Sequence, residues 1–279
     1  MEKDLEYEEF INCIFQEYLK RKQHTNLLTR DINLFKNIIT LYFQKDRTNY
    51  FADIIDNFKD LYILDESRIE PHVTKEEQLG LGIVYDYIKD FDFEKDNFNI
   101  FVISLIIHSK LYSKCVGSDF GGKLRNTNVS LKDLDIYIPD PDIAIKLFNS
   151  YLDQKNSDQI FLNYFQSDLF GYLDNCIKLC VTLIKIQPFY DGNKRCFRAL
   201  LNLLFKRVNI PPIFINLDER KEYKNALIKA LKDEDYSDII KFYYYKICDA
   251  IILLDIENSK NQENNKFQKK ITPNLSIKC

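Results

Sequence analysis

Apolar positions recur at three- and four-residue spacing through most of this chain, which predicts a mainly helical protein. Phe10, Ile11, Ile14, Phe15, Tyr18 and Leu19 mark a helix within residues 2–21. Ile32, Phe35, Ile38, Ile39, Tyr42 and Phe43 mark one over 31–44, with Asp31 as its cap. Phe51, Ile54, Ile55, Phe58, Leu61 and Tyr62 mark a third over 50–64. A capping box, Thr74 with Glu77 three positions on, opens a helix over 74–90. Further helices are expected over 97–114, from Pro139-Asp140-Pro141-Asp142 to about Leu152, over 168–185, from Asn193 onward, over 219–232 and over 235–255. Phe170, Leu173, Ile177, Cys180, Val181 and Ile184 make the helix over 168–185 the central buried one.

The rhythm breaks between 117 and 138. Gly117, Gly121 and Gly122 cluster there, and short alternating segments follow around a turn, a small β-hairpin pattern. Asp153–Asp158 reads as a polar loop, Asn209-Ile210-Pro211-Pro212 as a stop, and the residues after Glu257 as a polar, poorly ordered tail.

Composition narrows the class. The 279 residues are 46% apolar and 14% aromatic, enough for a sizeable core, with 7 Gly and 7 Pro. A net charge of −3 provides no broad basic excess to displace counterions, so a general nucleic-acid binder is excluded. No run of about 18 uncharged apolar residues offers a membrane span, and the acidic start has no apolar signal segment. The 7 Cys lack paired metal spacings, and Cys176 and Cys180 fall on an apolar helical face as core thiols, so a reducing cytoplasm is the expected home.

The chemistry concentrates in Ile186-Gln187-Pro188-Phe189-Tyr190-Asp191-Gly192-Asn193-Lys194-Arg195-Cys196-Phe197-Arg198. Pro188 ends one helix, Asp191-Gly192-Asn193 is turn chemistry, and Phe197, Leu200, Leu201, Leu204 and Phe205 restart the helical period. The loop thus feeds a helix N-terminus, where unpaired amides and the dipole favour an anion. Lys194, Arg195 and Arg198 add three cations, and Asp191 adds one hard oxygen for a divalent ion also held by phosphates. These residues suit a polyphosphate with a divalent cation; a helix cap followed by a solvated basic turn would show the same residue types.

The order of residues resembles the signature loop of the Fic (Fido) family, His-x-Phe-x-(Asp/Glu)-Gly-Asn-(Gly/Lys)-Arg-x-x-Arg, at every specific position but the first. Gly122-Lys123-Leu124-Arg125 with Val129 resembles the run that leads into the family's flap hairpin, Ser67, Ile69 and Glu70 resemble the second half of its inhibitory helix motif, and Tyr223, Ala226 and Leu227 resemble its Tyr-x-x-Ala-Leu. The likeness covers roughly residues 65–240 and implies a Fic-type helical bundle with a small β-hairpin flap. It divides the chain into N-terminal helices with an inhibitory segment over 1–72, a Fic core over 73–256 and a tail over 257–279.

What the resemblance implies for function is transfer of AMP from ATP, with Mg²⁺, to a protein hydroxyl. Asp191 would hold the metal, Gly192, Asn193 and Lys194 would present amides to the phosphates, and Arg195 and Arg198 would bind the β- and γ-phosphates. Phe189 would anchor the loop. Glu70 would meet Arg198 and crowd out the γ-phosphate, although Glu66 stands where the motif has Ser or Thr and Pro71 follows the acid. Val129, Ser130 and Leu131 would line the flap, about Asn126–Tyr137, and hold the target protein by strand addition. Self-association is compatible with all of this.

Gln187 occupies the position of the family's general-base His. A carboxamide cannot take a proton near neutral pH, and base assistance is worth about 10²–10⁴ in rate. Several readings stay open: an enzyme whose acceptor is already ionised or brings its own base, a silent pseudoenzyme that binds nucleotide or a protein partner, or a base exchanged to silence the protein. Lys194 also resembles the Asn-Lys-Arg of the phosphate-transferring Doc toxins, but Gly192 and Arg198 depart from that pattern. His108 lies on an apolar helix and reads as a satisfied core residue.

Overall fold

A computed structural model describes residues 31–44, 58–70, 72–96, 98–117, 119–131, 136–157 and 168–271, together with positions 13, 16, 18 and 20; the side chains of 154–157 and 255–271 are outside the description. The described helices are α1 (Ile32–Gln44), α2 (Lys59–Ile69), α3 (Lys75–Asp90), α4 (Ile100–Leu111), α5 (Pro141–Ser157), α6 (Leu169–Ile186), α7 (Asn193–Lys206), α8 (Arg220–Asp233) and α9 (Ser237–Ile271). A 3₁₀ turn, Leu217–Glu219, precedes α8.

The α6–α7 pair forms the centre. All but two of the residues of α7 are buried, and it packs against α6 on one side and α3 and α4 on the other. Along α6 the buried positions Leu173, Ile177, Cys180, Val181 and Ile184 follow the expected stripe. Caps that the sequence announced are in place: Asp31 accepts from the Asn33 N–H at 2.9 Å, and Thr74 and Glu77 close both halves of a capping box. Gly80 lets α3 cross α4 closely, since a Cβ there would lie 1.9 Å from the Leu111 carbonyl oxygen.

Four expectations need correction. Helix α2 runs to Ile69 rather than stopping near 64, because no breaker intervenes before Pro71. Helix α5 continues through Ser157, where a polar loop was expected: the segment is polar but holds neither Gly nor Pro. Helix α9 extends to Ile271, past both the expected end near 255 and the start of the tail, and Pro273 follows two residues on.

The β-hairpin flap is the fourth. Residues 124–131 and 136–140 contain no strand pairing; residues 132–135, at its tip, are outside the described residues. The buried Arg125 side chain ties the two arms together instead, donating to the Thr127 carbonyl at 3.0 Å and to the Pro139 carbonyl. A guanidinium between the arms takes carbonyls that a ladder would have used. The expected helix over 2–21 falls almost wholly outside the described residues, as do residues 50–57 of the third expected helix.

Candidate functional site: a cationic loop closed by carboxylates

The loop between α6 and α7 is held from inside by amides. Gln187, at the C-terminus of α6, adopts a left-handed backbone with φ 50° and ψ 60°. Its side-chain nitrogen donates to the Ile184 carbonyl at 2.6 Å, and its side-chain oxygen accepts from Asn193 Nδ2 at 2.9 Å. Asn193 also donates to the Phe189 carbonyl and accepts from the Phe189 N–H, at 2.8 and 3.0 Å. Both ends of the Gln187 carboxamide are therefore engaged, one by α6 and one by the start of α7, and the residue is 6% exposed. It caps a helix end rather than facing solvent.

His108 supports the loop from α4. Its Nδ1 accepts from the Gly122 N–H and its Nε2 lies 2.9 Å from the Asp191 carbonyl oxygen. An acceptor at Nδ1 requires the proton on Nε2, so the ring is neutral and donates to Asp191. Burial lowers its pKa to about 4, despite the opposing pull of Asp191. The ring stacks on Phe189, centroids 3.9 Å apart and planes within 7°. This is the satisfied core histidine that the sequence suggested.

Gly192 stands at φ 71° just before α7, and a Cβ there would lie 2.7 Å from the Tyr112 hydroxyl. That hydroxyl donates to Asp191 Oδ2 at 2.9 Å and accepts from Arg195 Nη2 at 2.9 Å. Burial pushes the Tyr112 pKa well up, so the phenol keeps its proton. Arg195 donates through Nη1 to Glu77 Oε1 at 2.7 Å and lies 3.4 Å from Asp191 Oδ2.

Arg198 is enclosed by two acids from α2 and its end. Its Nε lies 3.1 and 2.9 Å from the two Glu66 oxygens, and its Nη1 donates to Glu70 Oε1 at 3.0 Å. Glu70 Oε2 accepts from Lys194 Nζ at 2.7 Å. Burial would raise the Glu70 pKa, but Arg198 and Lys194 more than offset it and hold it below the ordinary value. Burial likewise opposes the charge on Arg198, and Glu66 outweighs it, keeping the guanidinium protonated.

The sequence-derived residues thus fall into two groups. Gln187, Asp191, Gly192, Asn193, Lys194, Arg195, Arg198 and Glu70 converge on one loop. Val129, Ser130 and Leu131 lie on the arm at 124–131, which reaches the loop through Arg125: its N–H donates to the Pro188 carbonyl at 2.9 Å and its Nε to the Gln187 carbonyl at 2.6 Å. Sequence reasoning missed Glu66, Glu77 and Tyr112 as site partners. A signal for two of them existed: Glu66 precedes Glu70, and His108 precedes Tyr112, by one helical turn.

Asp191 is the candidate metal ligand. Its carboxylate is 59% exposed, and both of its hydrogen bonds fall on Oδ2. Among the described residues no cluster of three or more His, Cys, Asp or Glu could hold a metal ion. One exposed carboxylate fits a Mg²⁺ bound mainly by phosphate oxygens and water, not a closed protein cage.

Residues 103–205 match the Fic/DOC family. A protein adenylyltransferase Fic from Aedes aegypti is 28% identical over 183 residues, 64% of this chain and 33% of that protein. One of the same description from Drosophila mojavensis is 37% identical over 60 residues, 22% of this chain and 12% of that protein. The chain therefore spans about a third or less of these relatives. Among solved structures, Fic-1 (residues 134–508) of C. elegans superposes with a TM-score of 0.62 at 16% identity, covering 80% of this chain and 69% of that one. A Fic-domain signalling protein of Bacteroides thetaiotaomicron does so with a TM-score of 0.57 at 14% identity, covering 79% and 94%. Over residues 103–205 the chain is thus similar to the Fic/DOC family. No helix among the described residues is long and apolar enough to cross a membrane.

Proposed function

We propose that the chain binds ATP with Mg²⁺ on the loop 187–198 and transfers AMP to a protein hydroxyl, with transfer restrained by Gln187 and by Glu70 on Arg198. The observation that carries this reading is the convergence of Asp191, Lys194, Arg195 and Arg198 at the N-terminus of α7, a 14-residue helix whose first amides have no intrahelical acceptor. Asp191 would hold Mg²⁺, which neutralises phosphate charge when bound. The amides of Gly192, Asn193 and Lys194 would cradle the phosphates, with Arg195 and Arg198 on the β- and γ-phosphates. Transfer then forms a bond from the acceptor oxygen to the α-phosphorus, breaks the bond from that phosphorus to the β-phosphate oxygen, and releases pyrophosphate. The acceptor's proton must go to solvent or to a base on the target, because the Gln187 carboxamide cannot take it.

As it stands, the site is closed by charge. Lys194, Arg195 and Arg198 face Glu66, Glu70, Glu77 and Asp191, all within ion-pair distance. A triphosphate must displace Glu70 from Lys194 and Arg198 to bind fully. The target would lie along the arm at Val129–Leu131, whose backbone has no strand partner among the described residues.

A second reading, a nucleotide-binding protein without turnover, is favoured by the inward-turned Gln187. The deciding experiment uses ATP labelled at the α-phosphate, Mg²⁺ and a cell lysate, with Glu70→Gly in every sample. Label transferred with Gln187 in place supports the enzyme. Label appearing only with Gln187→His supports the binder. Label in neither, with ATP binding absent, overturns both.

A further inference from the structure

Arg198 has two distinct hydrogen-bonding sides, and the two acids divide them. Glu66 occupies the Nε side: both of its oxygens lie within 3.1 Å of Nε, and Oε2 lies 2.7 Å from Nη2. Glu70 occupies Nη1 alone, at 3.0 Å. Nη2 is buried and has no well-aligned acceptor, its contact with Glu66 being close but poorly directed. The acids also differ in access. The Glu66 side chain is 1% exposed and that of Glu70 13%, and Glu70 sits just beyond the last residue of α2, in extended backbone.

These differences assign different roles. Glu66 is anchored in the last turns of a helix whose neighbours Tyr62 and Ile69 are buried in the core. Withdrawing it would leave a buried guanidinium short of a counter-ion. Glu70 can leave by rotation at the end of α2, and each of its partners could donate to a phosphate oxygen in its place. We propose that Glu66 is a positioning residue: it fixes Arg198 by the Nε side throughout, while Nη1 passes from Glu70 to the terminal phosphate of the nucleotide. The inference rests on the nucleotide reading for the identity of the incoming group, but not for the division between the two acids.

The division is read from the Arg198 Nε–H signal by NMR of the full chain. In the unaltered protein and in Glu70→Gly it should exchange slowly with water and keep its position; in Glu66→Ala it should vanish into fast exchange. Glu66→Gln, which keeps an acceptor oxygen in a side chain of the same shape, should retain the signal with faster exchange, and serves where Glu66→Ala does not fold. A signal lost in Glu70→Gly, or unaffected by both Glu66 variants, overturns the proposal. ATP and AMP titrations in the Glu70→Gly background supply the second readout. Glu66→Ala should weaken ATP binding by at least about tenfold, the scale of one charge-assisted hydrogen bond, with AMP binding little changed and Glu66→Gln restoring most of the loss. Tighter ATP binding by Glu66→Ala would make Glu66 a second brake and overturn the positioning role. If neither nucleotide binds, the nucleotide reading fails, and the Nε–H result alone decides the division of Arg198.

Discussion

Arg195 Nη1 donates to Glu77 Oε1 at 2.7 Å, while the other oxygen of the same carboxylate accepts from the Thr74 N–H at 2.8 Å. One side chain therefore starts α3 and fixes a cation at the start of α7. Removing it costs more than a cap. Thr74→Ala should destabilise by about 1 kcal/mol, the worth of a capping hydroxyl. Glu77→Ala should cost about 3 kcal/mol, because it also leaves the buried Arg195 short of a counter-ion. Urea unfolding of both variants checks the order; equal losses would mean that the Glu77–Arg195 pair contributes little.

Gly192 joins backbone conformation to side-chain placement. At φ 71° an alanine is strained by about 1–2 kcal/mol, and its Cβ would meet the Tyr112 hydroxyl at 2.7 Å. Gly192→Ala should destabilise by more than the backbone strain alone. Adding Tyr112→Phe removes the nearer of two clashing Tyr112 atoms, leaving the ring Cε2 at 2.9 Å, and the double variant should lose less than the sum of the two single ones, a coupling measured by a thermal-denaturation cycle. Additive losses would show that the ring moves aside freely.

How much of this was legible in sequence depends on the range of the interaction. The loop was, because Pro188, the Asp191-Gly192-Asn193 turn and the period from Phe197 to Phe205 are local signals. The caps at Asp31 and Thr74 were legible for the same reason. Glu77 read only as a capping residue, since nothing near it in sequence announces a partner 118 positions away. Glu66 read as a departure from a motif, yet it meets Arg198 across 132 positions. Helix ends at α2, α5 and α9 were drawn too early because polar stretches without Gly or Pro continue a helix as readily as they leave it. The hairpin failed on a different point. Alternation predicts paired strands, but not whether a buried Arg125 replaces the ladder, and the arm at 124–131 has no regular structure.

His108 gives the fold a pH dependence. Its pKa falls from 6.5 to about 4 on burial, so the unfolded chain binds a proton that the folded chain refuses. Stability should be level above about pH 6.5 and fall as the pH drops toward 4, by about 3 kcal/mol in all. Glu70 acts in a lower window: its depressed pKa stabilises the fold above the ordinary carboxylate value, and that contribution is lost as the pH falls through the folded one. Urea unfolding across this range tests the His108 window. His108→Gln should abolish the slope between 6.5 and 4 whatever it does to stability at neutral pH.

Arg198 and Gln187 lie eleven positions apart on one loop, and their replacement should separate binding from loop structure. Arg198→Ala, made in the Glu70→Gly background, removes the guanidinium proposed to hold the terminal phosphate and should weaken triphosphate binding about tenfold or more. Gln187→Ala removes two hydrogen bonds inside the loop, to Ile184 and Asn193, at 2.6 and 2.9 Å. It should lower stability by about 1–2 kcal/mol and affinity by only a few-fold. Glu70→Gly by itself should raise triphosphate affinity, because it frees Lys194 and the Nη1 of Arg198 together. Calorimetric titration with ATP decides each point. Equal losses for Arg198→Ala and Gln187→Ala would count against the loop assignment. An unchanged affinity in Glu70→Gly would mean that Glu70 does not compete with the nucleotide.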